Sequence, residues 1–134
     1  MCNYLFVYGT LLEDCKNDLS KKLSNHSEFV SNAYFNGKLF NVDWYPGAIY
    51  LPKYNGKVYG KVYKIEHFNK IIKQLDDYEG VGDQFESPNQ YKREKIKISL
   101  ENESCIDAWV YIYNWPTDEL EFIPNGNYIQ YLNN

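Results

Sequence analysis

Tyr4-Leu5-Phe6-Val7-Tyr8-Gly9-Thr10-Leu11 reads as a buried strand running into a glycine turn. Tyr4 to Val7 is a short aromatic and apolar run of strand-favouring residues. Gly9 breaks it, because a residue without a Cβ allows positive φ and close backbone approach. A buried strand ending in such a turn aims its last side chains and free backbone N–H groups at one edge of the fold. A small polar ligand can sit there. An ordinary strand and turn would satisfy the same residues, so the rest of the chain has to decide.

Working outward, residues Glu13 to Phe29 are polar, with a short helix expected around Asp18 to Leu23. Ala33 to Val42 reads as a strand bent or bulged at Asn36-Gly37. Trp44-Tyr45-Pro46-Gly47 gives a turn signal, and Ala48 to Leu51 a short apolar strand. Asn55-Gly56 suggests a hairpin turn into the next strand, Lys57 to Ile65. There Val58, Gly60 and Val62 share one face, and Tyr59, Lys61 and Tyr63 the other. Gly60 inside a strand points to close approach of another backbone. Lys92 to Leu100 and Ile106 to Tyr113 alternate again and form an expected hairpin about the polar Glu101 to Ser104. Ile96, Ile98 and Leu100 face inward in the first. Ala108, Val110 and Ile112 stand opposite Trp109, Tyr111 and Tyr113 in the second. Asn125-Gly126 marks a last turn. Several mostly antiparallel strands with one convincing helix make an α+β fold.

That helix is Glu66 to Glu79, with Phe68, Ile71, Ile72 and Leu75 in the i, i+3, i+4, i+7 pattern and Gly80 as its stop. At about 100° per residue, the other three apolar residues fall within about 60° of Leu75. Asp76 and Asp77 fall about 100° and 200° away, toward water. Glu79 falls about 40° from Leu75, inside the apolar stripe. A carboxylate there is costly unless hydrogen-bonded or neutralised, and burial raises its pKa toward that of a useful proton acceptor. Two structural alternatives stand beside this reading. The helix frays before Glu79, or Glu79 pairs with Arg93.

Composition narrows the chemistry. The 134 residues suggest one domain, 1–134. The formal net charge is −4, and Arg93 is the only arginine. No basic field favours nucleic acid. An aromatic sheet face of Trp109, Tyr111 and Tyr113 could stack bases, but this charge balance opposes it. Cys2, Cys15 and Cys105 show no metal-ligand spacing and read as free thiols of a reducing, cytoplasmic compartment. Neither a signal peptide nor a membrane-spanning run is visible. His26 and His67 are the only histidines, and both read as surface residues. No nucleophilic triad, metal cluster or phosphate loop can be assembled, so neither metal nor cofactor is expected.

Five stretches in order carry a family likeness. They are Val7-Tyr8-Gly9-Thr10-Leu11, Tyr45-Pro46-Gly47-Ala48, Gly60 with Val62-Tyr63, Leu75-Asp76-Asp77-Tyr78-Glu79-Gly80, and Tyr91 with Arg93. Together they resemble the γ-glutamylcyclotransferase-like family, which includes γ-glutamylamine cyclotransferases and AIG2-like proteins. Asn125-Gly126-Asn127-Tyr128 is similar to that family's Gly-Asp-Trp turn, with Asn127 and Tyr128 substituted. The resemblance implies a barrel-like mixed sheet with a helix packed alongside. It implies a substrate loop at Tyr8, Gly9, Thr10 and Leu11 and a catalytic carboxylate at Glu79. Tyr45, Arg93, Tyr111 and Tyr113 are the further candidates for the pocket wall. The implied reaction converts a small γ-glutamyl amine or amide to 5-oxoproline and a free amine. A non-catalytic member of the same fold, binding a metabolite or a protein, is the alternative. Sequence leaves the amine and the oligomeric state open.

Overall fold

The structure is a computed structural model and describes residues 2–9, 18–43 and 45–133. In chain order the elements are β1 (Tyr4–Val7), α1 (Asp18–Asn25), β2 (Ser27–Val42), β3 (Tyr45–Tyr50) and β4 (Lys57–Ile65). They are followed by α2 (Phe68–Tyr78), β5 (Tyr91–Leu100), β6 (Cys105–Tyr113), β7 (Glu121–Ile123) and α3 (Tyr128–Leu132). Thr10, Leu11, Cys15 and Trp44 lie outside the described residues.

Five strands, in the order β2-β4-β1-β6-β5, form a barrel. β5 closes it by pairing Leu100 and Ser99 with Ala33 and Tyr34 of β2. Among the described residues only the β1–β6 contact, Leu5 opposite Trp109, is parallel. The sheet is therefore mixed and mostly antiparallel. β1 lies at its centre and is buried on both faces. Phe6 points into the barrel with Val58, Val62, Ile98 and Val110. Leu5 points the other way, onto Ile71, Ile72 and Leu75 of α2. That double burial is why the opening run is apolar without alternation.

Val7 pairs with Lys61, so the neighbouring Gly60 lies under the end of β1. A Cβ on Gly60 would come 2.3 Å from the Val7 carbonyl oxygen and 2.7 Å from the Phe6 ring. The close approach expected at Gly60 is therefore the passage of β1 toward Tyr8.

Four sequence expectations need correction. β2 begins at Ser27, six residues before the expected Ala33. Phe29 and Val30 are exposed, so its first half lacks the inward alternation that marks a strand. At Asn36-Gly37 the strand does not bulge. It changes partners, from Lys57 of β4 to Tyr50 of β3. The bulge lies between Phe29 and Ser31 instead. Tyr45-Pro46-Gly47 is the start of β3, not a turn. Pro46 is tolerated because, among the described residues, β3 is paired only on its β2 side. Asn55-Gly56 does not join a hairpin either, since β3 and β4 both pair with β2. The loop between them packs on the partner change in β2. Gly37 N–H donates to the Gly56 carbonyl at 3.1 Å, and Asn36 Nδ2 to the Tyr54 carbonyl at 2.7 Å.

The expected β5–β6 hairpin forms, running from Tyr91 opposite Tyr113 to Ser99 opposite Cys105. The helix expected around Asp18 forms as α1. Cys2 and Cys105 are free thiols. Among the described residues no helix is long and apolar enough to cross a membrane.

Candidate functional site

The site is built on the C-terminal end of α2. Phe68, Ile71, Ile72 and Leu75 are buried, as the period requires. The helix does not fray before Glu79. Glu79 keeps helical dihedrals (φ −83°, ψ −2°) as the C-cap, and its N–H donates to the Leu75 carbonyl at 2.8 Å. Gly80 follows at φ +73°. Gly80 N–H then donates to Asp77 O at 3.3 Å and Val81 N–H to Asp76 O at 2.8 Å. This pair of bonds is the Schellman closure, in which a left-handed glycine ties up the last carbonyls. Glu79 is thus held half-buried at a fixed angle. Burial pushes its carboxyl up from 4.5 to about 7.

Arg93 does not pair with Glu79. Its Nε donates to Asp76 Oδ1 at 2.8 Å and its Nη2 to Asp76 Oδ2 at 3.1 Å. Tyr111 Oη donates to the same Asp76 Oδ1 at 2.8 Å. The Asp76 hydrogen bond also holds the Arg93 guanidinium more firmly protonated. Asp76, expected to face water, therefore pins the last turn of α2 to β5 and β6. One carboxylate of the helix end is neutralised by a bidentate partner, and the other is left to carry a proton.

Three tyrosines lie within the electrostatic reach of Glu79. Tyr8 follows β1 and carries its ring into the barrel, tilted against Phe6 at 6.4 Å. Its hydroxyl donates to the Tyr111 carbonyl at 2.5 Å and accepts from Ala48 N–H at 3.3 Å. Tyr91 Oη donates to the Pro46 carbonyl at 2.7 Å. Burial raises the pKa of both, and in each the nearby Glu79 charge adds to the rise. Tyr111 is raised by burial first and by the Asp76 charge next, with a smaller push from Glu79. All three hydroxyls are neutral, each donates its proton to another group, and all lie in the field of one titratable carboxyl.

The remaining predicted residues border this group. Tyr113 is buried and packs edge-on against Tyr91 at 5.5 Å. Tyr45 is exposed at the rim, its ring 6.2 Å from Tyr91. Gly9 runs against Pro46, whose Cγ would lie 3.0 Å from a Cβ at that position. The predictions at Thr10 and Leu11 fall outside the described residues. The structure thus gathers Tyr8, Gly9, Tyr45, Glu79, Arg93, Tyr111 and Tyr113 around one end of α2. It adds Tyr91 and Asp76, which sequence reasoning had not placed among the site residues. Tyr91 could have been found from strand parity, because it lies opposite Tyr113 as Arg93 lies opposite Tyr111.

A cavity of about 1100 Å3 is bordered by Tyr8, Gly9, Tyr59, Lys61, Glu101 and Gln130. Glu79 does not line it. The chemistry therefore favours the carboxylate end of α2 over this cavity. Asn125-Gly126-Asn127-Tyr128 docks on this cavity's edge. Tyr59 N–H donates to the Gly126 carbonyl at 2.8 Å, and Asn127 Oδ1 caps α3 by accepting from Gln130 N–H at 3.0 Å. The aromatic face that the charge balance opposes as a base-stacking surface is not free either. Tyr111 and Tyr113 are buried, and the Arg93 guanidinium lies over Trp109 at 4.6 Å.

Comparison with known proteins agrees with the fold. The family described as gamma-glutamyl cyclotransferase, AIG2-like, matches residues 5–130. The Escherichia coli K12 gamma-glutamylcyclotransferase family protein YtfP is 30% identical over 125 residues, covering 93% of this chain and 95% of that protein. The solution structure of the Escherichia coli protein superposes with a TM-score of 0.67 at 26% identity, over 96% of this chain and 97% of that one. The crystal structure of a mouse AIG2-like protein gives a TM-score of 0.68 at 21% identity, over 91% and 86% of the two chains. That last likeness is one of fold. With a family match over nearly its whole length and relatives covered end to end, the chain belongs to the γ-glutamyl cyclotransferase, AIG2-like family.

Proposed function

We propose that the protein is a cyclotransferase that releases 5-oxoproline from a γ-glutamyl amine or amide, with Glu79 as general base and then general acid. The observation that carries this reading is the Glu79 carboxyl. Helix geometry fixes its backbone, burial pushes it up to about 7, and its charge is felt at the Tyr8, Tyr91 and Tyr111 hydroxyls. A group with that pKa both accepts and returns a proton near neutral pH.

The substrate's α-amine reaches its own side-chain amide carbonyl. Glu79 takes a proton from the α-ammonium group. The freed nitrogen attacks the carbonyl carbon, so the lactam C–N bond forms and a tetrahedral oxyanion develops. Glu79 then gives its proton to the departing nitrogen as the oxyanion collapses and the original amide C–N bond breaks. It takes the second proton from the new lactam nitrogen and passes it to the freed amine, which leaves as an ammonium ion. Five-membered 5-oxoproline and a free amine leave, with no net proton change at the enzyme. Water is not consumed, and no covalent bond to the protein forms. Holding the substrate folded so that amine and carbonyl meet is an orientation effect of several kcal/mol.

In this reading Tyr8, Gly9, Thr10 and Leu11 form the substrate loop, whose N–H groups bind the α-carboxylate or the oxyanion. Tyr45, Tyr111 and Tyr113 form wall and rim. Arg93 acts through Asp76 as a positioning residue. Its fork is already occupied, so it is not a free anion clamp.

The test is a panel of γ-glutamyl amines and γ-glutamyl dipeptides incubated with wild-type protein and with Glu79→Gln. 5-Oxoproline is followed by mass spectrometry. Product from the wild type and none from the variant is expected, and the best substrate names the amine class. Full activity in Glu79→Gln would sink the assignment. No product from any substrate would favour a non-catalytic member that binds a metabolite or protein.

A further inference from the structure

At the other end of α2, His26, Glu66 and His67 converge. One ligand-capable atom from each lies within 4.8 Å of the other two. His26 is half-buried, and Glu66 and His67 are exposed. We propose that these three side chains form a surface site for a borderline divalent transition metal of the Zn2+ type, separate from the Glu79 site and independent of the cyclotransferase reading.

The convergence follows from strand register. His26 sits between α1 and β2, and Glu66-His67 between β4 and α2. Ser27 pairs with Ile65, so the next residues outward, His26 and Glu66, stand across from each other. The Glu66 N–H donates to the His26 carbonyl at 2.7 Å and fixes that juncture. His67 then takes a left-handed conformation, φ 52° and ψ 44°. This region is unfavourable for a residue with a Cβ, and the residue makes no side-chain cap bond to α2 in return. What the conformation does is place the imidazole beside that of His26, with ring centroids 5.6 Å apart at 76°. A strained residue whose strain aims a ligand group at two others is a reason to look for the ligand.

The donor set suits the chemistry. Two imidazole nitrogens and one carboxylate oxygen are the three-ligand pattern that leaves a further position to water. Zn–N and Zn–O bonds of about 2.0–2.2 Å in a tetrahedron require donor separations of about 3.4 Å. The observed limit of 4.8 Å exceeds this by an amount that χ rotation of the two exposed side chains can close. Hard cations such as Mg2+ prefer oxygen ligands and would be refused. A bound ion would tie the α1–β2 juncture to the start of α2.

Chelator-treated, desalted full-length protein, kept reduced with a phosphine, is titrated with Zn2+ and separately with Mg2+ by calorimetry. His26→Gln and His67→Asn run beside it. Asn is chosen because it tolerates the left-handed conformation better than most residues, and circular dichroism without metal checks that both variants fold. Expected are one Zn2+ per chain, no Mg2+ binding, and at least about tenfold weaker Zn2+ binding in each variant. Zn2+ should raise the melting temperature of the wild type, and the rise should disappear in both variants. With Co2+, d–d bands should appear without a thiolate charge-transfer band. The proposal is overturned if no one-equivalent binding occurs, if binding survives in both variants, or if the Co2+ spectrum reports cysteine coordination.

Discussion

The two ends of α2 carry similar residue types in opposite surroundings. At the C-terminal end, Asp76 and Glu79 meet β1, β5 and β6, and the chain is closed over them by the Gly80 turn. At the N-terminal end, Glu66 and His67 are exposed, and the chain enters through a strained His67. Burial separates the outcomes. Where water is partly excluded, a carboxyl either gains a fixed cation, as Asp76 does, or shifts toward its neutral form, as Glu79 does. Where water remains, nearby donors stay free to rotate and can gather around an ion.

The contrast is broken most directly at Glu79. Glu79→Gln should lower turnover of the best γ-glutamyl substrate by about 10²–10⁴ or more. Asp77→Asn, two residues earlier on the same helix but exposed, should leave it unchanged. Equal losses in the two variants would mean that the helix end, not the buried carboxyl, matters.

The same substitution should act on stability with a defined sign. Glu79 releases its proton near 4.5 when unfolded and near 7 when folded. Between these pH values the folded protein retains a proton that the unfolded chain has lost, so stability falls as pH rises through this window and then levels off. At 1.36 kcal/mol per pH unit the full cost is about 3 kcal/mol, an upper limit for a half-buried group. Urea unfolding should therefore find Glu79→Gln close to wild type at pH 4.5 and more stable by up to about 3 kcal/mol at pH 8. A pH-independent difference would show that the carboxyl is not held out of water.

Asp76→Asn tests the other half of the C-terminal end. It strips Arg93 of its bidentate partner while the guanidinium stays partly covered, at 23% side-chain exposure. Breaking a buried pair costs about 3–5 kcal/mol, and partial solvent access reduces that to about 2 here. Turnover should fall too, because the last turn of α2 then carries Glu79 less firmly. A pH profile keeping its inflection near 7 would mark Asp76 as positioning, whereas a moved inflection would draw it into proton transfer.

How much of this could be read beforehand follows from what each pattern measures. The 3.6-residue period reports which way a helical side chain leaves its axis, so it placed Glu79 correctly in the stripe. It says nothing of what stands across the gap, so Asp76, on the stripe's edge, looked solvated while Arg93 waited on β5. Period-two alternation found β4, β5 and β6, whose outer and inner faces differ in polarity. It missed the start of β2, where Phe29 and Val30 face solvent. Barrel closure rests on two residue pairs, Ala33–Leu100 and Tyr34–Ser99, that no local signal announces. His26 and His67 come together only through the Ser27–Ile65 register, and sequence spacing alone made them two ordinary surface histidines.

Tyr91→Phe makes the finest distinction within the C-terminal end. The Tyr91 hydroxyl donates to the Pro46 carbonyl at 2.7 Å and stands in the field of Glu79. If the hydroxyl only fastens β5 to the start of β3, its loss removes one net hydrogen bond, about 1 kcal/mol. Pro46 lies on an edge strand, where water can reach its carbonyl, so the cost should not grow beyond that. Burial, followed by the neighbouring negative charges, keeps Tyr91 protonated, which makes it a poor relay for the proton that Glu79 handles. Turnover should accordingly drop less than about tenfold, in step with the loosened wall rather than with lost chemistry. A drop matching that of Glu79→Gln, with stability intact, would instead make the Tyr91 hydroxyl a partner in the transfer. The boundary between the reacting group and its scaffold would then lie one residue further into β5.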